Sequence, residues 1–260
     1  MPDLFNLTQA QFETFLLIVV RVSTMLFVFP VFSARQIPIL VRIGLAFLIA
    51  FVLYRAVPPM APLADIGALV GAIVSQVVLG VIVGFVAYLV FMGIQFAGEI
   101  VDIQIGFAVA NILSPQTQQQ VTVIGELQLT LATLIFLATD SHLLMIQGIG
   151  GSFHLIPLPF ISLDPSVAGN VINFLQDAFL IVLKIAAPAA VALFLVNIAL
   201  GLMARVAPQM NVFVVGLPLQ IGVGLLMMAV SVPLLGYVAP QLFLQSAHNM
   251  DAVMRGMVPR

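Results

Sequence analysis

An apolar run that turns polar at its end sets the architecture of this chain: residues 66–107 read IGALVGAIVSQVVLGVIVGFVAYLVFMGIQFAGEIVDIQIGF. About 20 apolar residues cross a bilayer, so the apolar part, 66–97, is too long for one upright span. A charged side chain in hydrocarbon costs on the order of 2.5 to 3.5 kcal/mol. Glu99 and Asp102, which follow the apolar part, are therefore expected to face protein or water and not lipid.

The composition is that of a membrane protein. Of 260 residues, 62% are hydrophobic and only 7% are charged, whereas soluble domains carry roughly 25% charged residues. The chain is therefore an integral membrane protein or the buried member of a membrane complex. It contains no cysteine, which excludes disulfides and cysteine-based metal sites. No basic run suggests nucleic-acid binding.

Six apolar stretches predict the secondary structure. They are 15–33, 39–57, 66–97, 121–139, 178–202 and 212–238. The segment 143–161 is a weaker candidate. The stretches lack the alternation of barrel strands, so we predict an all-α, membrane-associated fold of about six long helices arranged as hairpins. Prolines inside the runs predict kinked helices, and the spacing Gly80-xxx-Gly84 predicts close helix packing.

The carboxylates at the end of the long run have several possible roles. Glu99 and Asp102 are three residues apart and would share a helix face, with Gln104 nearby. They could pair with an arginine, cap the helix that follows the polar loop, or handle a cation or proton together with Glu126. The candidate arginines are Arg21, Arg42 and Arg205.

Catalytic patterns are missing from the sequence. The three histidines lie far apart, and neither an HExxH motif nor a Walker-type glycine loop occurs. Asp140-Ser141-His142 is interpreted as a polar turn between helices, because a catalytic triad is assembled from separate elements. We therefore predict no catalytic, cofactor or metal site, and a protein that is not an enzyme.

Two motifs carry a resemblance to a known family. The first lies within residues 97–107 and comprises Ala97-Gly98-Glu99, Asp102, Gln104 and Gly106-Phe107. The second lies within 197–218 and comprises Asn197, Gly201, Arg205, Ala207-Pro208-Gln209, Asn211, Phe213, Gly216 and Pro218. In order and spacing, the chain resembles FliR-type flagellar export-gate subunits, the FliR/SctT family of type III secretion.

The resemblance implies a fold and an assembly. The fold would be that of a P-type subunit, residues 1–170, fused to a Q-type helical hairpin with a C-terminal tail, residues 171–260, in one export-gate subunit. Its partners would be the P-type and Q-type membrane subunits and the B-type and A-type export proteins. Unfolded flagellar axial proteins would pass through the centre. The location would be the flagellar basal body in the bacterial inner membrane, with the core displaced toward the periplasm.

The resemblance also assigns residues. The family's channel plug falls on the loop from Gly106 to about Thr122. Its members here are Gly106, Phe107, Asn111, Pro115, Gln118 and Gln119. A second group is expected to serve helix or subunit packing and ion pairing: Glu99, Asp102, Gln104, Arg42, Arg205, Pro208, Gln209, Asn211 and Phe213.

Two other functions stay open at this point. One is the virulence counterpart of the same family, which the sequence separates poorly from the flagellar one. The other is a secondary transporter for a small solute or ion, with Glu99, Asp102 and Glu126 as a relay.

Overall fold

The computed structural model describes residues 4–34, 37–106, 122–159 and 165–258. Within these ranges the chain forms helices and turns without a strand. The helices are α1 Leu4–Val28, α2 Pro30–Ser33, α3 Ile39–Tyr54, α4 Ile66–Ile105, α5 Val123–Ala138, α6 Ser141–Leu155, α7 Pro165–Val206 and α8 Val212–Gly256. The predicted all-helical membrane fold is confirmed.

Four described helices, α1, α4, α7 and α8, are long and apolar enough to cross a membrane, and a fifth span results if the bent pair α5 and α6 counts as one. The helices α4, α7 and α8 contain 40, 42 and 45 residues. At 1.5 Å per residue each is about 60 Å or more in length, roughly twice the hydrocarbon thickness of a bilayer. An upright helix of this length keeps about half of itself outside the hydrocarbon.

The three longest helices, α4, α7 and α8, run further than the apolar stretches that predict them. The stretches 178–202 and 212–238 lie within the longer α7 and α8, and residues 143–155 of the weaker candidate 143–161 belong to α6. Pro188 lies inside α7, and Pro218, Pro233 and Pro240 lie inside α8, so each removes one main-chain donor without ending its helix. Pro30 instead occupies the first turn of α2, where the missing donor costs nothing.

The chain divides into two compact units, which are described separately. Unit 1 comprises Met1–Leu89, Asp140–Leu175 and Phe243–Arg260, and unit 2 comprises Val90–Thr139 and Gln176–Leu242. Both units contain residues from either side of position 170, and the division into P-type-like and Q-type-like parts stays a prediction.

In unit 1, glycines let α4 lie directly against α1. A Cβ at Gly80 would come within 2.7 Å of the Thr24 Cβ atom, and one at Gly84 within 2.8 Å of the Val28 Cβ atom. Real Cβ atoms do not approach so closely, so the Gly80-xxx-Gly84 spacing serves helix packing. On α1, the Phe15 ring makes edge contacts with Phe47, at 5.3 Å between centroids, and with Tyr54, at 5.8 Å.

In unit 2, a small apolar core joins α4, α5, α7 and α8. Its buried members are Val101, Ile105, Ile124, Ala189, Leu193 and Met228. Gly224 lies directly against the Ile105 side chain, so α8 packs closely on the end of α4. This core places the polar end of α4 beside the first turn of α5.

Candidate functional site

Asp102 of unit 2 binds the first turn of α5. Its side chain is 3% exposed, and its carboxylate accepts hydrogen bonds from the Ile124 N–H at 3.0 Å and the Gly125 N–H at 3.1 Å. These amides lack partners within their own helix, and a negative charge is stabilised near the positive end of the helix dipole. The sequence analysis left helix capping and ion pairing as alternatives for Asp102, and the structure shows the cap.

The two helices touch at glycines beside this cap. A Cβ at Gly98 would lie 2.7 Å from the Gly125 Cα atom and 2.8 Å from its nitrogen. Glu99 lies over the same contact, since a Cβ at Gly125 would come within 3.0 Å of its Cγ atom. The Glu99 carboxylate accepts a hydrogen bond from Gln95 at 3.3 Å and has no arginine partner among the described residues.

The end of α4 is fixed by its last residues. Gly106 has a φ of +93°, in the left-handed region that favours glycine, and its N–H donates to the Ile103 carbonyl at 3.2 Å. A Cβ there would also lie 3.1 Å from Leu217. The Gln104 Oε1 atom is buried and has no hydrogen-bond partner within the described part of the chain.

Most of the predicted plug cannot be located. Phe107, Asn111, Pro115, Gln118 and Gln119 lie outside the described residues. The described ends of the loop are Gly106 and Thr122, and the latter is the N-cap residue of α5. The plug stays a prediction.

The second polar motif lies on the surface at the turn between α7 and α8. Arg205 lies in the last turn of α7 and is exposed, and no described carboxylate pairs with it. Pro208, Gln209 and Asn211 are exposed as well, and Phe213 belongs to α8 by its main chain. One link joins the two helices further along: the Gln220 amide donates to the Asn197 side-chain oxygen. The subunit-packing role of this motif stays a prediction.

Arg42 of unit 1 binds main-chain oxygens near its own helix. Its guanidinium donates to the Ala34 carbonyl at 2.5 Å and to the Ile37 carbonyl at 3.1 Å. It thereby links Ala34 and Ile37 to the first turn of α3. Arg42, like Arg205, makes no described ion pair with Glu99 or Asp102.

Arg21 of unit 1 binds the C-terminal end of α6. Its guanidinium is fully buried and donates to the main-chain oxygens of Ser152 and Ile156, each at 3.0 Å. Its Nε atom donates to Gln76 Oε1 at 2.6 Å, and the guanidinium carbon lies 4.2 Å from the centre of the Phe153 ring. Gln76 in turn donates to the Pro159 carbonyl at 2.5 Å.

Two polar side chains of unit 1 that form long-range hydrogen bonds were not predicted from the sequence. Gln76 lies in the middle of the longest apolar run, and an amide in that apolar context was the available signal. Glu13 is buried and accepts a hydrogen bond from the Leu63 N–H at 2.9 Å. Both therefore hold main-chain segments, as Asp102 and Arg21 do.

The longest helices differ in how much of their most apolar window is buried within the chain. In α4, 61% of the most apolar window is buried, against 28% in α7 and 22% in α8. Many of the exposed side chains of α7 and α8 are large and apolar, for example Phe194 at 60% and Val214 at 67%. Arg205, Gln209 and Asn211 interrupt this apolar surface with polar groups. Among the described residues, no three His, Asp or Glu side chains lie close enough together to hold a metal ion.

Comparison with known proteins places these features in a family. The profile described as "Bacterial export proteins, family 1" matches residues 12–246. A flagellar biosynthetic protein FliR of Bacillus subtilis (strain 168) is 34% identical over 245 residues, covering 92% of this chain and 93% of its own. A FliR of Escherichia coli (strain K12) is 32% identical, covering 86% and 85%. The Yop proteins translocation protein T of Yersinia pestis is 30% identical, covering 86% and 88%.

Proposed function

Since the chain belongs to family 1 of the bacterial export proteins, we propose that it is a channel-forming structural subunit of the flagellar type III export gate. In this role it would help unfolded flagellar axial proteins cross the inner membrane and would not act as an enzyme. The observation that carries the proposal is the match along nearly the whole chain to relatives named flagellar biosynthetic proteins.

The partners proposed are the P-type and Q-type membrane subunits, together with the B-type and A-type export proteins. The sparse cover of α7 and α8 supports a shared wall, because only 28% and 22% of their apolar windows are buried within the chain. Lipid alone would leave Arg205 unpaired in or near hydrocarbon at a cost of about 2.5 to 3.5 kcal/mol. A neighbouring subunit can supply both apolar cover and an acceptor.

The location proposed is the flagellar basal body, with the core displaced toward the periplasmic side of the inner membrane. Helix length supports this placement. About 60 Å of helix exceeds the hydrocarbon thickness by a factor of about two, and α4, α7 and α8 all reach that length. An assembly of such helices has a large part outside the bilayer.

The loop between Gly106 and Thr122 is proposed as the plug of the closed channel. Shortening this loop should increase leakage of small solutes in cells that make the export complex, while the yield of the complex stays unchanged. A flux assay with a small dye measures the leak. Unchanged permeability in a correctly assembled complex would contradict the plug.

The virulence counterpart is a second candidate, favoured by the Yersinia pestis translocation protein at 30% identity. Secretion separates the two candidates. Deletion of the gene in its host should abolish release of flagellar axial proteins and motility, and a plasmid copy should restore both. Intact motility combined with loss of virulence-protein secretion would instead support the counterpart.

Assembly is the direct test of the proposed partners. Affinity isolation in mild detergent should bring down small P-type and Q-type membrane proteins, identified by mass spectrometry. A chain isolated without P-type and Q-type subunits from cells that make all of them would contradict a structural role in a shared gate.

A further inference from the structure

Two buried ionic side chains lie at helix ends that complement their charge. We infer that Asp102 and Arg21 are positioning residues, which fix α5 and α6 in place by binding the main-chain groups at one end of each helix. The inference rests on the proposed function in one respect: it assigns to these clamps the task of holding part of the channel wall in place while a substrate passes.

The Asp102 clamp acts at the N-terminal end of α5. The N-cap residue Thr122 makes no side-chain cap bond, although this position normally caps the amides at the second and third helical residues. Those amides belong to Ile124 and Gly125, and Asp102 of α4 binds both. A carboxylate from another helix has replaced the local cap.

The Arg21 clamp acts at the C-terminal end of α6. The last carbonyls of a helix have no partner within it and form its negative end. Arg21 donates to the carbonyl of Ile156, the C-cap residue, and shares the Ser152 carbonyl with the Ile156 N–H. Gln76 and the Phe153 ring hold the guanidinium in this position, and the described part of the chain places no carboxylate against it.

Each of the two helices held in this way is too short to cross a bilayer alone. The helices α5 and α6 contain 16 and 15 residues, about 24 Å at most, whereas a span needs about 20 residues. Asp140 separates them in a left-handed conformation, with a φ of 55°. Attachment to the longer helices α4 and α1 therefore adds to the hold that the bent pair gains where it crosses the bilayer as one span.

Hydrogen exchange of the purified export complex tests the clamps separately. In Asp102→Asn one acceptor oxygen becomes a donor, so the Ile124 and Gly125 amides should exchange faster, on the order of tenfold. In Arg21→Lys the charge stays but the forked donor is lost. The Ile156 amide, which bonds to the Ser152 carbonyl at 2.9 Å, should then exchange several-fold faster. In each variant, the faster exchange should be confined to the helix end that the substituted residue binds.

Glu99→Gln is the matched control, because Glu99 lies on the same helix and bonds to Gln95 instead of α5. It should leave all three amides unchanged. Unchanged exchange in Asp102→Asn or Arg21→Lys, or equal acceleration throughout the chain, would overturn the corresponding clamp. If Asp102→Asn or Arg21→Lys abolishes secretion while the amides at the helix end stay protected from exchange, the positioning role is rejected and the proposed function stands. If the variants show the expected exchange pattern but the wild-type chain supports no secretion, only the proposed function is rejected.

Discussion

At the residue scale, Gly106 ends α4 in a conformation that other residues adopt at a cost. Its φ is +93°, and the Leu217 side chain lies 3.1 Å from the place of a Cβ. We expect Gly106→Ala to lower the free energy of unfolding by about 1 to 2 kcal/mol. Thermal unfolding in detergent, followed by circular dichroism, measures the loss.

Gly201→Ala is the control for this substitution. Gly201 lies inside α7, and a Cβ there meets nothing within 4 Å. Alanine is the better helix former by about 1 kcal/mol, so stability should stay the same or rise. Equal stability of the two variants would contradict the strained end of α4.

Three buried charged residues inside the helices share one mode of binding. Asp102, Glu13 and Arg21 each bind main-chain groups far away in sequence, as in the pair Arg21 and Ile156, separated by 135 positions. The sequence marks such residues as polar in an apolar context and so predicts that they are satisfied. It cannot name their partners, because every residue except proline offers the same N–H and C=O groups.

At the element scale, the crossing of α4 and α5 depends on two glycines. A Cβ at Gly98 would lie 2.7 Å from the Gly125 Cα atom, and main-chain atoms cannot turn aside as a side chain can. Gly98→Ala should therefore cost more than about 2 kcal/mol, the scale of overpacking in a tight core. The loss of folded protein is measured by size-exclusion yield and by thermal unfolding.

A second glycine on an apolar helix provides the comparison. Gly44 of α3 has nothing within 4 Å of its Cβ position, so Gly44→Ala should leave yield and unfolding temperature unchanged or raised. If Gly98→Ala behaved like Gly44→Ala, the close crossing of the two helices would be wrong.

The helices themselves were largely predictable, and their ends were not. Apolar runs of about 20 residues indicate helices in a membrane. The runs underestimate α7 and α8, however, since both continue into polar segments such as 165–177 and 239–256. Hydropathy reports where lipid or protein covers a helix, whereas main-chain hydrogen bonds decide where the helix stops.

At the scale of the whole molecule, Arg205 tests whether the exposed polar motif meets another subunit. It has no described partner within the chain. Breaking a buried ion pair costs about 3 to 5 kcal/mol, so Arg205→Ala should reduce the yield of isolated complex by roughly tenfold or more. The amount of the chain in the membrane should stay constant.

Arg255→Ala is the matched control for that measurement. The Arg255 guanidinium pairs with Asp251 of its own helix at 3.1 Å and is well exposed, and such surface pairs contribute little. The complex should form normally in this variant. A normal yield with Arg205→Ala as well would show that Arg205 needs no partner from another subunit.

Chemical labelling of the turn between α7 and α8 tests most directly whether neighbouring subunits cover the polar groups of this chain. Because the chain contains no cysteine, Gln209→Cys provides one thiol at an exposed position, and Asp65→Cys provides an exposed control before α4. With a water-soluble maleimide, we expect Gln209→Cys to react in the isolated chain and to be protected in the assembled complex. Equal labelling of Gln209→Cys in both states, with Asp65→Cys behaving as a normal exposed thiol, would contradict that cover.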